Sequence, residues 1–189
     1  MNCWAMSTAY KPVNDVRVRQ AFDLAIDREA LNQVVFNGEN LPGNQWVSPQ
    51  NPNYVKEFPL PKRDVAKAKA LLKEAGYNGE KVRLLPLPYG ETWQRWAEAV
   101  KQNLIDVGLN IETIATDVPG SNQKIGDWDY DIAFTYLYQY GDPALGVGRN
   151  YVSSAIAKGQ LFNNVEGYSN PEIDKLFADG AIFSQLMKM

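Results

Sequence analysis

The 189 residues carry 19 Lys and Arg against 22 Asp and Glu, 45% hydrophobic side chains, a single cysteine and no histidine. A chain of this size buries about 70% of its unfolded surface and holds one sizeable core or two small ones, while its acidic, well-mixed charge argues against nucleic acid as a partner. Cys3 alone cannot form an internal disulfide, the absence of histidine removes the commonest zinc ligand and proton shuttle, and no apolar run approaches the roughly 20 residues of a membrane span. The opening MNCWAMSTAY has neither a basic region nor an apolar segment with a cleavage site, so no export signal is read in it. No metal or cofactor is expected.

In chain order, Asp15 to Phe36 shows apolar residues at Val18, Ala21, Phe22, Ala25 and Ile26, a one-sided helical stripe. Asp27 interrupts it as a second N-cap, which predicts two short consecutive helices, the later one ending at Gly38. Residues 40–61 hold five prolines and no period, the mark of an irregular loop. Asp64 then caps a helix with Val65, Ala68, Leu71, Leu72 and Ala75 inward, closed by Gly76 and Tyr77 in a Schellman ending. A strand over 81–87, a helix over 91–108 and a strand over 109–116 form a βαβ unit, whose strands should be parallel. The helix carries Trp93, Trp96, Val100, Leu104 and Val107 on one side. DIAFTYLY (131–138) reads as a further strand entered through a polar turn, 142–168 as Gly-rich and irregular, and Asn170 as the cap of a last helix. The fold class is therefore α/β.

Three motif fragments fail on inspection. GVGRNY has Tyr151 where a dinucleotide fingerprint needs its third glycine, and SNQK (121–124) lacks the companion motifs of serine β-lactamases. DWDYD spaces Asp127, Asp129 and Asp131 like a calcium loop, but Ile132 stands where the turn requires glycine. Without histidine, catalysis would have to rest on lysine or carboxylates. A glycoside hydrolase using Asp142 with an upstream aspartate is one rival reading. The richer feature is YLYQYGDPALGVGRNY (136–151), which gathers aromatic faces around a Gly-Asp-Pro turn beyond a strand end, where open α/β sheets carry ligands. Tyr136, Tyr138 and Tyr140 share a strand face, which Ile132 and Phe134 would extend.

PVNDVRVRQAFDLAIDREALNQVVFNG resembles the signature segment of family 5 of the periplasmic solute-binding proteins, the peptide, nickel and oligosaccharide receptors of ABC importers. KAKALLKEAGY, AEAVKQNLIDVGLNIE, DWDYDIAF, GDP and GYSNPEIDKLF follow in that family's order, so the likeness spans residues 10–178. It implies one α/β lobe (1–189) of a type II periplasmic-binding-protein clamshell, with a small mixed sheet, the βαβ unit and flanking helices. Residues 179–189 lose the pattern and read as a truncation. The implied role is non-catalytic: a peptide or oligosaccharide solute is held between lobes in the periplasm and presented to a permease.

In peptide receptors of this family an aspartate four residues before the proline of the turn pairs with the peptide amine. Here that position is the neutral Gln139, which disfavours free-amine peptides and favours hydroxyl-rich solutes. Expected ligand contacts are Tyr138, Gln139, Tyr140, Asp142 and Arg149, then Trp46, Tyr89 and Trp93; for Trp93 the competing reading is burial in the helix stripe. An exposed lobe face would also promote self-association, and a protein-interaction module is the other rival.

Overall fold

The computed structural model describes residues 2–45, 47–136 and 146–186. Strand β1 (Asn2–Met6) is followed by helices α1 (Val16–Ala25), α2 (Arg28–Phe36) and α3 (Val65–Glu74). Then come β2 (Lys81–Leu85), α4 (Glu91–Asp106), β3 (Asn110–Thr113), α5 (Val118–Asp127), β4 (Ile132–Tyr136) and α6 (Pro171–Leu186). The strands form one sheet in the order β1-β4-β2-β3, in which β2 runs parallel to both β3 and β4 while β1 is antiparallel to β4. The sheet is mixed, as expected.

Alternation along the strands gives the sheet two different faces. Val82, Leu84, Ile132 and Phe134 meet α1, α3 and α4 in the larger core, around Phe22, Leu72, Val100 and Leu104. Ala5, Leu85 and Ala133 face the other way, toward Ile125 of α5, Tyr130 and Val165. The face that Ile132 and Phe134 share with Tyr136 is thus an interior face, with both residues 1% exposed. Expected as an extension of the aromatic surface, it is filled by the sequence's own helices.

The caps act as read. Asp27 accepts from the Ala30 amide at 3.0 Å and divides α1 from α2; Asp64 accepts from the Lys67 amide at 2.9 Å. Each cap contributes about 1 kcal/mol. Asp15 caps α1 through the Arg17 amide, and the Arg17 guanidinium beside it holds the Asp15 carboxyl down to about 2. Helix α3 closes with Tyr77 N–H donating to Leu72 and Gly76 N–H to Lys73, the paired bonds of a Schellman motif, with Gly76 at φ 73°. At the end of α2 the first left-handed residue is Asn37 (φ 52°), with Gly38 following at 77°.

Two elements escaped the sequence reading. β1 is five residues long, and its partner β4 lies about 130 positions downstream. α5 has an apolar side limited to Ile125 and small residues, so it shows no stripe; its Asp117 cap and Pro119 were the only local signals. SNQK lies inside α5. Asp127, expected in a polar turn, is the last helical residue, and Trp128 supplies the left-handed cap at φ 62°. Asp129 and Asp131 do not form an open calcium loop: Arg83 pairs with both, and Lys124 reaches Asp129 at 2.7 Å. Those contacts, Lys124 first, pull the Asp129 carboxyl below its ordinary range. The Arg83 amide donates to Asp131 at 2.7 Å, so these carboxylates lock β2 to the entrance of β4.

Candidate functional site

The parallel strands β2 and β4 end on the same side of the sheet, where the antiparallel β1 begins; Asn2 stands opposite Tyr136. Beyond β2, Tyr89 is 45% exposed and its ring meets that of Tyr136 edge-on at 6.2 Å. Burial raises the Tyr136 phenol above its ordinary value, and the neighbouring Tyr89 adds to that shift. Trp93 is half-buried against Trp96, at 5.7 Å between rings, on the rim of the larger core. Arg149 occupies a short 3-10 turn (Gly148–Asn150) and is exposed, lining neither of the two clefts described next. Tyr138, Gln139, Tyr140, Asp142 and Trp46 lie outside the described residues.

A cleft of about 640 Å³ opens between the loop over 40–60, Trp4 of β1 and the length of α2 from Arg28 to Phe36. Its aromatic walls include Trp4, Phe36, Trp96 and Tyr151; its polar groups include Arg28, Asn32, Asn44 and Gln45. An apolar cavity with a few directed polar groups is the usual make-up of a small-ligand site, and the volume lies within the usual range. Trp4 is held edge-on against Phe22 at 5.1 Å and against Phe134 at 6.4 Å, so the cleft wall is anchored directly in the core.

The irregular loop is braced by amide side chains rather than by periodic structure. Asn32 donates to the Asn40 carbonyl at 2.7 Å and accepts from the Asn40 amide at 3.1 Å. Gln45 makes the same two-way contact with Val55, at 2.8 and 3.0 Å. Arg63 closes the far end, donating to the Ala25 carbonyl and pairing with Asp106 at 2.7 Å.

A second cleft, of about 740 Å³, lies between β1 and α6 and shares Trp4 and Tyr151 with the first. Tyr151 stacks on Phe177 at 6.3 Å with nearly parallel planes. Glu166 lines this cleft, and burial pushes its carboxyl up to about 7.

Sequence reasoning missed Trp4, Arg28, Asn32 and Phe36, and saw Tyr151 only as part of the aromatic stretch 136–151. Their only shared signal is chemical type, because the topology that joins positions 4, 28 and 151 is non-local.

Residues 1–158 match the family described as bacterial extracellular solute-binding proteins, family 5, middle segment. The chain belongs to that family. The glutathione-binding protein GsiB of Pectobacterium atrosepticum is 37% identical over 115 residues, covering 60% of this chain and 22% of the relative. Probable di/tripeptide-binding protein 5 of Pseudomonas aeruginosa is 25% identical over 181 residues, 93% of this chain and 34% of that protein. Among solved structures, the oligopeptide-binding protein AppA of Bacillus subtilis, in complex with a nonapeptide, superposes with a TM-score of 0.80 at 26% identity, over 94% of this chain and 38% of AppA. The chain therefore spans between about a fifth and two fifths of the length of these proteins. The family is one of solute-binding proteins, and the fold is that of their clamshell domains. No helix among the described residues is long and apolar enough to cross a membrane.

Proposed function

We propose that this chain is the part of a family 5 receptor that forms one wall of the solute site, and that its solute is a short peptide or peptide-like molecule delivered to an ABC importer outside the cytoplasm. The observation that carries this reading is the 640 Å³ cleft, in which aromatic faces alternate with amide and guanidinium groups. That mixture suits a peptide, whose backbone offers donors and acceptors and whose side chains offer apolar area. The names of the relatives, glutathione-binding and di/tripeptide-binding, point the same way. In this reading Tyr138, Gln139, Tyr140, Asp142 and Trp46 remain proposed solute contacts together with Tyr89, and Trp93 supports Trp96 of the cleft wall. Arg149 meets solute, or a second lobe, only from outside the cleft.

The hydrolase alternative loses support, because the upstream carboxylates Asp129 and Asp131 are engaged by Arg83 and Lys124. An oligosaccharide solute is favoured by one feature, the neutral Gln139. Titration with tri-alanine, glutathione and maltotriose, followed by tryptophan emission, separates the two. If an intact receptor binds at about 1 μM and each wall supplies half the free energy, this chain binds at about 1 mM. Saturation by the peptides and none by maltotriose is the expected result. The reverse pattern overturns the peptide assignment, and silence toward all three overturns the solute-binding role of this wall.

Large exposed hydrophobic residues include Leu41 at the cleft, at 69%, with Phe58 at 66% and Tyr89 at 45% elsewhere. Self-association at high concentration follows if the cleft face normally meets another lobe, and a sedimentation profile that stays monomeric at millimolar protein contradicts it.

A further inference from the structure

We infer that Asn78 is a site of spontaneous covalent modification, where the Asn78–Gly79 step cyclises to a succinimide and opens to aspartate and isoaspartate, while the fold holds the same dipeptide at Asn37–Gly38 unreactive. The tripeptide Asn-Gly-Glu occurs twice, at 37–39 and at 78–80. All six residues are exposed, so access to water does not separate the two copies. Asparagine is among the thermally labile side chains, and a glycine after it leaves the next backbone nitrogen without a Cβ to shield it. The copies differ in the hydrogen bonding of that nitrogen. In the first, the Asn37 and Gly38 amides both donate to the Asn32 carbonyl of α2, the Gly38 bond at 3.0 Å. Asn37 is fixed in the left-handed region at φ 52°, and the Gln33 side chain lies against Gly38. The Gly38 nitrogen has to leave its acceptor before it can reach the Asn37 Cγ.

In the second copy the Gly79 N–H has no acceptor and the Asn78 side chain no partner among the described residues. Beyond its chain neighbours, no atom lies within 4 Å of the position a Gly79 Cβ would take. The turn is held through its other groups: the Asn78 amide donates to the Glu80 carboxylate at 2.8 Å, the Asn110 side chain to the Gly79 carbonyl at 2.9 Å, and the Tyr77 hydroxyl to the Glu80 carbonyl at 2.6 Å. These contacts fix the chain around the step and leave one nitrogen open to solvent. Solvent hydroxide removes its proton, the nitrogen bonds to the Asn78 Cγ, the bond from Cγ to the side-chain nitrogen breaks, and ammonia leaves with a proton taken from water. Water then cleaves one of the two carbonyl–nitrogen bonds of the ring. Cleavage at Cγ yields aspartate; cleavage at the main-chain carbonyl yields isoaspartate, with an added methylene in the backbone. Either product sets a second carboxylate near that of Glu80, and isoaspartate lengthens the turn that Tyr77 and Asn110 close at the entrance to β2. The competing account is that exposure and the Asn-Gly step alone set the rate, so that both copies convert alike.

The two accounts separate when the whole chain is incubated at mildly alkaline pH, native and in urea, and acid formation at each asparagine is followed by peptide mass mapping. Trypsin isolates the site, since Asn78 is the only asparagine between Lys73 and Lys81. In the native chain Asn78 should convert at least about fivefold faster than Asn37, the factor set by one intact hydrogen bond on the attacking nitrogen. The two rates should converge in urea, where both copies lose these contacts. Equal rates in the native chain, or faster conversion at Asn37, overturn the inference. It is also overturned if Asn78 keeps its amide in the native chain over the time in which the urea-unfolded chain converts. Asn78→Gln, which alters only an exposed side chain, should abolish the fast phase of acid formation, and a fast phase that persists at another asparagine contradicts the assignment.

Discussion

Residues 64–113 and the described residues of 129–136 and 146–168 reach order by different means. In the first stretch, α3, β2, α4 and β3 follow one another with short joints, and each buries a periodic stripe in one core. In the second, β4 is followed by a segment with two 3-10 turns (Gly148–Asn150 and Ser153–Ala155), held by polar contacts to distant partners. The Tyr130 hydroxyl donates to the Val165 carbonyl at 2.7 Å, and the Thr8 hydroxyl donates to the carbonyls of Glu166 and Gly167. Asn164, fully buried, accepts from the Tyr168 amide at 2.9 Å and donates to the carbonyls of Val152 and Tyr168. Hydrophobic periodicity builds the scaffold, whereas single polar side chains hold the irregular segment in place.

The comparison is broken most severely in the core. Phe134→Ala removes a ring that packs on Trp96 at 4.3 Å between centroids, and should lower unfolding free energy by about 3–5 kcal/mol in urea titration. Next in size is the pH dependence of the second region. Burial raises the Glu166 carboxyl from 4.5 to about 7, so between those values the folded state holds a proton that the unfolded state has released. Stability should therefore fall as pH rises from about 4.5 to 7, by at most about 3 kcal/mol, and level off above. Glu166→Gln should flatten that slope in thermal melts across the range.

Asn164→Ala, which strands two carbonyls and an amide, should cost about 2 kcal/mol. Amide exchange should speed up at 164–168 and leave α3 unchanged. A smaller loss, about 1 kcal/mol, is expected for Asp27→Ala from the missing cap, readable as a shift in urea midpoint with an unchanged slope. The surface pair of Lys81 and Glu112, at 3.2 Å with both side chains more than half exposed, sets the lower bound: Glu112→Ala should change stability by less than about 0.5 kcal/mol.

Legibility in the sequence follows the same division. The two N-terminal helices, the Asp27 break, the Schellman ending at Gly76 and the βαβ unit were readable because each is decided within a few turns of chain. β1 was not, since its five residues gain a role only against β4. α5 was hidden by Gly120, Ser121 and Gly126, small residues that let it lie close to its neighbours but give no stripe. At the site, the aromatic richness around Tyr136 was visible in the sequence. That Ile132 and Phe134 face helices rather than solute could not be seen from alternation, which separates two faces without saying what covers each. Trp4 and Arg28 were missed for the same reason as β1: their contact depends on where distant segments meet.

The account stands or falls on whether the polar, aromatic wall binds ligand while the periodic scaffold does not. Amide and indole NMR spectra recorded while tri-alanine is added test this directly. Progressive, saturable shifts at the Trp4 and Trp96 indoles, Asn32 and Gln45, with Ala68, Leu72 and the β3 amides unmoved, are the predicted result. Shifts that are absent at the cleft, or spread evenly over α3 and β3, would contradict it.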